Sequence, residues 1–212
     1  MRKVIVSAFV SLDGVMQAPG GPEEDTSGGF KFGGWTFPHA DPITGGAIGE
    51  LFSKPFDLLL GRKTYDIFAG YWPYVEADNP IGQRFNAVTK HVAIHNRGLR
   101  LDWENSRSLG SDAVAGVKRL KSEDGPDLLV QGSSDFLQTL FHHDLVDELT
   151  VLTYPVVLGG GKKLFGEGAA PHAFPLVSHI VSSKGVIIGK YARGGEVPTG
   201  SFPPATGKPK AG

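Results

Sequence analysis

Cysteine is absent from the 212 residues of this chain. Disulfide bridges, thiolate metal sites and a cysteine nucleophile are therefore excluded, and a reducing compartment is acceptable, so we expect a cytoplasmic location. A large net charge is absent as well, because 21 Lys and Arg residues face 22 Asp and Glu residues, for a formal charge of -1 at pH 7. Binding of nucleic acid without sequence preference needs a broad positive field. We therefore expect no nucleic-acid partner, and any anion site must be local.

Long hydrophobic runs are also missing. No stretch approaches the roughly 18 apolar residues of a membrane span. The first 14 residues, MRKVIVSAFVSLDG, have the two cations and the apolar core of a signal peptide, but they lack a small-residue cleavage pattern and reach Asp13 at once. We interpret this segment as the first strand and expect no membrane association.

Several familiar site motifs do not occur. Residues 166–168, Gly-Glu-Gly, are followed by Ala-Ala-Pro rather than by the end of a G-x-G-x-x-G motif, and residues 161–163, Gly-Lys-Lys, do not complete a Walker A motif. The G-x-S-x-G elbow of hydrolases is absent too. His91 and His95 lie on a predicted strand, where four residues span about 13 Å, too far for a shared metal. We expect no metal site.

The segments that are present alternate between strand and helix patterns. Strands are predicted at residues 4–10, 56–60, 91–95, 127–131 and 146–159, with a terminal hairpin at 172–182 and 186–191; helices are predicted after Asp41-Pro42, from Arg62, over 79–87, from Ser111 and from Gly132. This order predicts an α/β fold with three αβα layers, a mixed but mainly parallel sheet and a C-terminal antiparallel hairpin. Residues 1–193 form one predicted domain. Residues 194–212 carry too little apolar surface to fold and are predicted to be a flexible tail.

A long segment from residue 17 to residue 42 is rich in glycine, proline and aromatic residues. Loops of this length in compact domains are often lids or binding loops. Trp35 and Phe37 in this segment, together with Trp72 farther along, predict a flat aromatic slot for a heterocyclic substrate. The alternative is that these aromatic side chains fill the core.

Two glycine corners each join a predicted strand to a predicted helix. Gly61-Arg62-Lys63-Thr64 offers backbone amides, two cations and a hydroxyl, and Gly132-Ser133-Ser134 offers amides and hydroxyls. In open α/β sheets, ligands bind beyond the carboxyl ends of the strands, where helix N-termini attract anions. Asn96 and Arg97, after the third strand, predict a further anion contact. Three such contacts fit a dinucleotide with an additional 2′-phosphate, although each corner alone is also typical of a plain turn.

The order of VSAFVSLDGVMQAPG, LLLGRKTYDIF and LLVQGSSDFLQTLFHHDLVDELTVLTYPVVLGGGKKLF resembles the dihydrofolate-reductase-like superfamily. It resembles in particular the reductase domain of the bifunctional riboflavin-biosynthesis deaminase-reductase and its stand-alone bacterial relatives, over about residues 2–192. The resemblance implies that residues 61–64 and 132–134 receive the phosphates of NADPH, and that Asn96 and Arg97 hold the 2′-phosphate. It also implies a homodimer that reduces a compound like 5-amino-6-(5-phosphoribosylamino)uracil.

Two carboxylates are candidates for the proton donor. Dihydrofolate reductases use a carboxylate on the helix before the G-R-x-T strand, which here indicates Glu50. The riboflavin-pathway reductases share an S-x-D-G loop, which here indicates Asp13, and we favour Asp13. The segment 17–40 is longer than the riboflavin enzymes lead us to expect. A non-catalytic NADPH-binding or sensing module and a dihydrofolate reductase are the alternatives.

Overall fold

The computed structural model describes residues 1–94 and 100–203, so Asn96 and Arg97 lie outside the described residues. Within the described ranges the strands are β1 (Val4–Ser11), β2 (Phe56–Gly61), β3 (Lys90–Ala93), β4 (Ser106–Ser108), β5 (Asp127–Val130), β6 (Glu148–Tyr154), β7 (Leu176–Val181) and β8 (Ile187–Ala192). They form one sheet in the order β4-β3-β2-β5-β1-β6-β8-β7. β1 is central, as its nearly continuous apolar sequence predicts.

Five α-helices occur in the same ranges: α1 (Pro42–Leu51), α2 (Arg62–Ala69), α3 (Pro80–Ala87), α4 (Ala113–Ser122) and α5 (Ser134–His142). Asp41 caps α1, as predicted, with its carboxylate accepting a hydrogen bond from the Thr44 amide at 2.7 Å. The N-cap of α4 is Asp112 rather than Ser111, because the Asp112 carboxylate accepts from the Ala115 amide at 3.0 Å. Side-chain acceptors of this kind satisfy N–H groups that a helix leaves unpaired at its start.

The register of the sheet confirms the predicted fold class. β1 runs parallel to β5 and to β6, and β2 runs parallel to β5 and to β3. β8 is antiparallel to β6, and β7 is antiparallel to β8, which makes the predicted C-terminal hairpin. The strand predicted over 146–159 ends at Tyr154, because Pro155 follows and has no N–H for the ladder.

Helices cover both faces of the sheet. On one face, Val4, Val6 and Ala8 of β1 pack with α4 and α5. On the other face, Leu58 and Leu60 of β2 pack with α2 and α3, while α1 and Trp35 pack over β6 and β8. This second face therefore has two separate apolar clusters, with β1 between them.

The chain beyond β8 continues to pair for two residues after the predicted domain boundary. The Gly194 amide donates to the Ala173 carbonyl at 2.7 Å, and the Ala173 amide donates to the Gly195 carbonyl at 3.1 Å. The division at residue 193 stays a prediction. No helix within 1–94 or 100–203 combines the length and the apolar character needed to cross a bilayer.

Candidate functional site

The two glycine corners meet at one edge of the sheet. Gly61 ends β2 and Gly132 follows β5, its neighbour, and the Gly61 amide donates to the Gly132 carbonyl at 3.2 Å. A Cβ on Gly61 would lie 2.2 Å from the Ser133 hydroxyl, and one on Gly132, whose φ is 143°, would lie 2.5 Å from the Thr64 hydroxyl. The peptide bond between Gly132 and Ser133 is cis. Glycine is therefore needed at both corners, because a side chain at either position would keep the corners from packing against each other.

The helices that begin at these corners differ from the other three in their caps. Side chains of Asp41, Asn79 and Asp112 cap α1, α3 and α4. In contrast, α2 begins after Gly61 and α5 after Ser133 with no side-chain cap hydrogen bond. Their first N–H groups lie at the positive ends of two helix dipoles. Two neighbouring helix starts thus leave donors for an anion at the same edge of the sheet.

A large cavity opens between the corners, α1, α2 and the long segment before α1. Its volume is about 970 Å³, and Lys63 and Thr64 of α2 line it together with residues 131–135. We call five further lining side chains the apolar wall; they come from β1, α1, α2, α3 and the turn after α1, and they are Phe9, Ile48, Phe52, Phe68 and Phe85. The cavity therefore combines an edge rich in amide donors with an apolar surface, as sites for small ligands usually do.

Most of the predicted cofactor residues lie at this cavity, but Arg62 does not line it. Lys63, Thr64 and the corner 132–134 are lining residues, and Gly61 packs directly behind them. The Arg62 guanidinium donates to both carboxylate oxygens of Asp66, at 2.8 and 2.9 Å, and lies 5.6 Å from the centre of the Tyr65 ring. The cofactor role predicted for Arg62 stays a prediction that these contacts do not favour.

The structure places two of the three residues of the predicted aromatic slot at the cavity. Phe37 and Trp72 line the cavity. Trp35 does not: its side chain is buried, its indole N–H donates to the Gln17 carbonyl at 2.8 Å, and its ring lies 5.2 Å from that of Tyr154. Trp35 thus holds the long segment against the sheet, in agreement with the core-filling alternative.

Neither predicted catalytic carboxylate lines the cavity. Asp13 accepts hydrogen bonds from the Ser11 hydroxyl at 2.6 Å and from the amides of Leu158 and Gly159, and these bonds, that from Ser11 above all, lower its pKa to about 2. Asp13 therefore ties the end of β1 to the turn after β6. Glu50 is exposed on the outer side of α1, where a 2.8 Å ion pair with Lys190 lowers its pKa.

Other carboxylates do line the cavity, and two of them, Glu24 and Asp41, have shifted pKa values of opposite direction. Sequence patterns gave no reason to select Glu24. Glu24 belongs to the long segment; the Gly20 amide donates to it at 2.5 Å, and burial raises its pKa. Asp41 also lines the cavity, and hydrogen bonds from the Ser183 hydroxyl and the Thr44 amide hold its pKa well below its usual range. The cavity thus has one carboxylate whose pKa burial raises and one whose pKa hydrogen bonds lower.

Asp25 connects the long segment to the glycine corner at residues 61–64. Its carboxylate is 9% exposed and binds the ammonium groups of Lys63 at 2.6 Å and Lys162 at 2.9 Å. Burial raises the pKa of Asp25, but the hydrogen bonds from Lys63, Ser27 and Lys162 outweigh it and bring the pKa below its usual range. No local sequence pattern indicates Lys162, because residues 161–163 do not complete a Walker A motif and Lys162 meets Asp25 only in the folded chain.

Tyr154 adds a neutral polar group to the lining. It is the last residue of β6, it is buried, and its ring packs against Trp35. Burial raises its pKa to about 12, so the phenol keeps its proton near neutral pH. Across 1–94 and 100–203, no group of three or more His, Asp or Glu side chains is arranged to hold a metal ion.

Comparison with solved structures supports the fold. A protein from Shewanella sp. PV-4, provisionally described as a riboflavin biosynthesis protein, is 21% identical, with a TM-score of 0.68 over 91% of this chain and 99% of that chain. Dihydrofolate reductase from Enterococcus faecalis, complexed with NADP(H) and RAB-propyl, is 14% identical, with a TM-score of 0.56 over 90% of this chain and 96% of that chain. At such identities these likenesses establish the dihydrofolate-reductase-like fold alone.

Comparison of sequences identifies the family. The uncharacterised protein YyaP of Bacillus subtilis (strain 168) is 25% identical over 187 residues, which cover 88% of this chain and 92% of YyaP. The model of the RibD C-terminal domain matches residues 2–188. This match covers the whole sheet except the last residues of β8, both glycine corners and every described residue that lines the large cavity. The chain therefore belongs to the RibD C-terminal domain family, a family of the reductase type.

Proposed function

We propose that this protein is an NADPH-dependent reductase that transfers a hydride to a small heterocyclic substrate. The family supports a reductase, and the fold is shared with a dihydrofolate reductase solved with NADP(H). The single observation that carries the cofactor assignment is the pair of uncapped helix starts, α2 and α5, that open into one cavity. Uncapped amides at a helix start are suited to phosphate.

The residues at the corners fit a dinucleotide phosphate chain. The starts of α2 and α5 supply amides, Thr64 and Ser134 supply hydroxyls, and Lys63 and Lys162 supply positive charge. Gly61 and Gly132 keep the two loops close enough to act on one ligand. When bound, NADPH supplies a hydride from C4 of its nicotinamide and becomes NADP⁺.

The other lining residues would position and protonate the substrate. The apolar wall excludes water and holds a flat ring. A C=N group that receives a hydride on carbon must receive a proton on nitrogen, and Glu24 is the lining carboxylate whose pKa is raised by burial. We assign to Glu24 the donation of this proton and to Asp41 a fixed negative charge.

Titration calorimetry with NADPH and NADH tests the cofactor assignment directly. We expect saturable binding of NADPH, and consumption of NADPH at 340 nm only when a reducible heterocycle is added. Gly132→Val is the matched variant, because its side chain would meet the Thr64 hydroxyl inside the corner, and it should bind NADPH at least about tenfold more weakly. Absence of saturable binding to either nucleotide in the wild-type protein would remove the proposal.

A further inference from the structure

Among the residues that the structure describes, the charges that line the cavity leave no free cation for an anionic substrate. Among the described lining residues the cations are Lys63 and Lys162, and both bind the Asp25 carboxylate. Lys63 also donates to the Ser27 hydroxyl at 3.1 Å. If phosphates of NADPH displace Asp25, the same two lysines are used by the cofactor. In either state, the described lining offers no further ammonium or guanidinium group to a substrate.

The carboxylates of the lining disfavour a second anion. They outnumber the lysines among the described residues, since Glu23, Glu24, Asp25, Asp41 and Asp135 all line the cavity. Asp41 stays ionised because it accepts from the Ser183 hydroxyl at 2.7 Å and from the amides of Thr44 and Lys184. A phosphate or carboxylate on the substrate would meet like charge without a compensating cation from the described lining residues, which is a direct way to reject it.

Neutral hydrogen-bonding groups are present instead. The Ser7 hydroxyl is on β1, between the two apolar clusters, with Ser7 only 2% exposed, and the indole N–H of Trp72 is buried. Neither atom has a hydrogen-bond partner among the described residues, and both residues line the cavity. The phenol of Tyr154 is a third neutral group there. Unpaired buried polar groups beside a cavity are ready to bond the nitrogen and oxygen atoms of a ring.

From the charge pattern, the apolar wall and these unpaired groups, we infer that the substrate is a flat, uncharged heterocycle that carries neither a phosphate nor a carboxylate. This inference rests on the proposed reductase function and narrows its substrate class. It separates this chain from an enzyme that acts on a phosphoribosyl pyrimidine, and from one that acts on dihydrofolate with its anionic tail. Binding of the ring is then driven by apolar burial and oriented by neutral hydrogen bonds.

Matched pairs of ligands test the inference by calorimetry. The pairs are 7,8-dihydrobiopterin with 7,8-dihydrofolate, 5-amino-6-ribosylaminouracil with its 5′-phosphate, and riboflavin with flavin mononucleotide. We expect the neutral member of at least one pair to bind about tenfold or more tightly than its anionic partner. The inference is overturned if an anionic member binds as tightly as its neutral partner, or if no neutral member binds below about 1 mM. Titrations with and without NADP⁺ keep this result separate from a failure of the cofactor proposal.

A charge placed in the cavity provides the second test. Phe37 is 67% exposed and lines the large cavity, whereas Phe32, 54% exposed, lies on the same segment but lines only a smaller neighbouring pocket. Phe37→Lys should therefore improve the affinity for anionic members by about tenfold, and Phe32→Lys, with the same change in net charge, should alter it less than about twofold. If Phe37→Lys leaves the preference at its wild-type value, charge does not exclude anionic ligands and the inference fails.

Discussion

At the scale of single residues, the proton donor is the sharpest question. Replacement of Glu24 by Gln should lower kcat by about 10²-fold or more while NADPH affinity stays within about twofold. Because the pKa of Glu24 is raised, its acid form persists to higher pH, and activity should fall as pH rises through that pKa. The alkaline limb of the pH profile should disappear in the variant. Stopped-flow measurement of NADPH oxidation across pH separates this limb from slow product release.

Glu50 provides the control for that measurement. It is exposed, binds Lys190 at 2.8 Å and does not line the cavity, so Glu50→Gln should retain nearly wild-type turnover. Loss of turnover in Glu50→Gln, together with an active Glu24→Gln enzyme, would instead support Glu50, the less favoured of the two carboxylates that the sequence resemblance indicated, and would remove the role given to Glu24.

Two adjacent cations allow a direct comparison of cofactor contacts. Lys63→Ala should weaken NADPH binding by about tenfold, because Lys63 lines the cavity at the start of α2. Arg62→Ala is the matched variant: its guanidinium is engaged by Asp66, so its effect should be smaller. Titration calorimetry with each variant gives the two dissociation constants. A larger loss for Arg62→Ala would mean that Arg62 leaves Asp66 when the nucleotide binds.

At the scale of structural elements, replacement of glycine by alanine should have opposite effects on the free energy of unfolding in β2 and in α1. A methyl group on Gly61 would lie 2.2 Å from the Ser133 hydroxyl, so Gly61→Ala should lower the free energy of unfolding by about 1–3 kcal/mol. Gly46 in α1 has open space around its position, so Gly46→Ala should raise the free energy of unfolding by about 0.5–1 kcal/mol. Urea denaturation measures both. Equal stabilities of the two variants would contradict the packing of the glycine corners.

The elements that sequence predicted well are those with a strong local signal. β1 and β2 are mostly apolar runs, and α1 begins at Asp41-Pro42, where a cap and a helix-compatible proline coincide. β4 has no such signal, because Ser106–Ser108 is polar and becomes a strand only by pairing with β3. The same distinction between local and tertiary signals holds at the site, because each glycine corner is a local pattern that the sequence alone indicates.

What the sequence missed depends on contacts between distant segments. Asp25 and Lys162 are 137 positions apart, and no local sequence pattern around either residue indicates their ion pair. Asp13 carried a family motif, yet the amides of Leu158 and Gly159 engage its carboxylate. Burial, which raises the pKa of Glu24, is also a property of the folded chain alone. Such roles depend on tertiary contacts, which produce no periodic pattern in the sequence.

At the scale of the whole molecule, β7 is an exposed edge of the sheet. Every residue of Leu176–Val181 is exposed, including Val177 at 68% and Val181 at 56%. An uncovered apolar edge strand readily pairs with another chain, so we expect the homodimer that the family resemblance implies to use this edge. Val177→Lys should then yield monomers in light scattering, whereas Val157→Lys, 69% exposed but outside the sheet, should not. A monomeric wild-type protein would contradict this expectation.

The Asp25 carboxylate between Lys63 and Lys162 has a consequence for the response of the protein to ionic strength. Added salt ordinarily weakens the binding of a phosphate by lysine through screening. Here the same ions also weaken the internal ion pairs that a phosphate must displace. The two effects oppose each other, so nucleotide affinity should decline less steeply with salt than at a bare pair of lysines, and Asp25→Asn should restore the steeper decline.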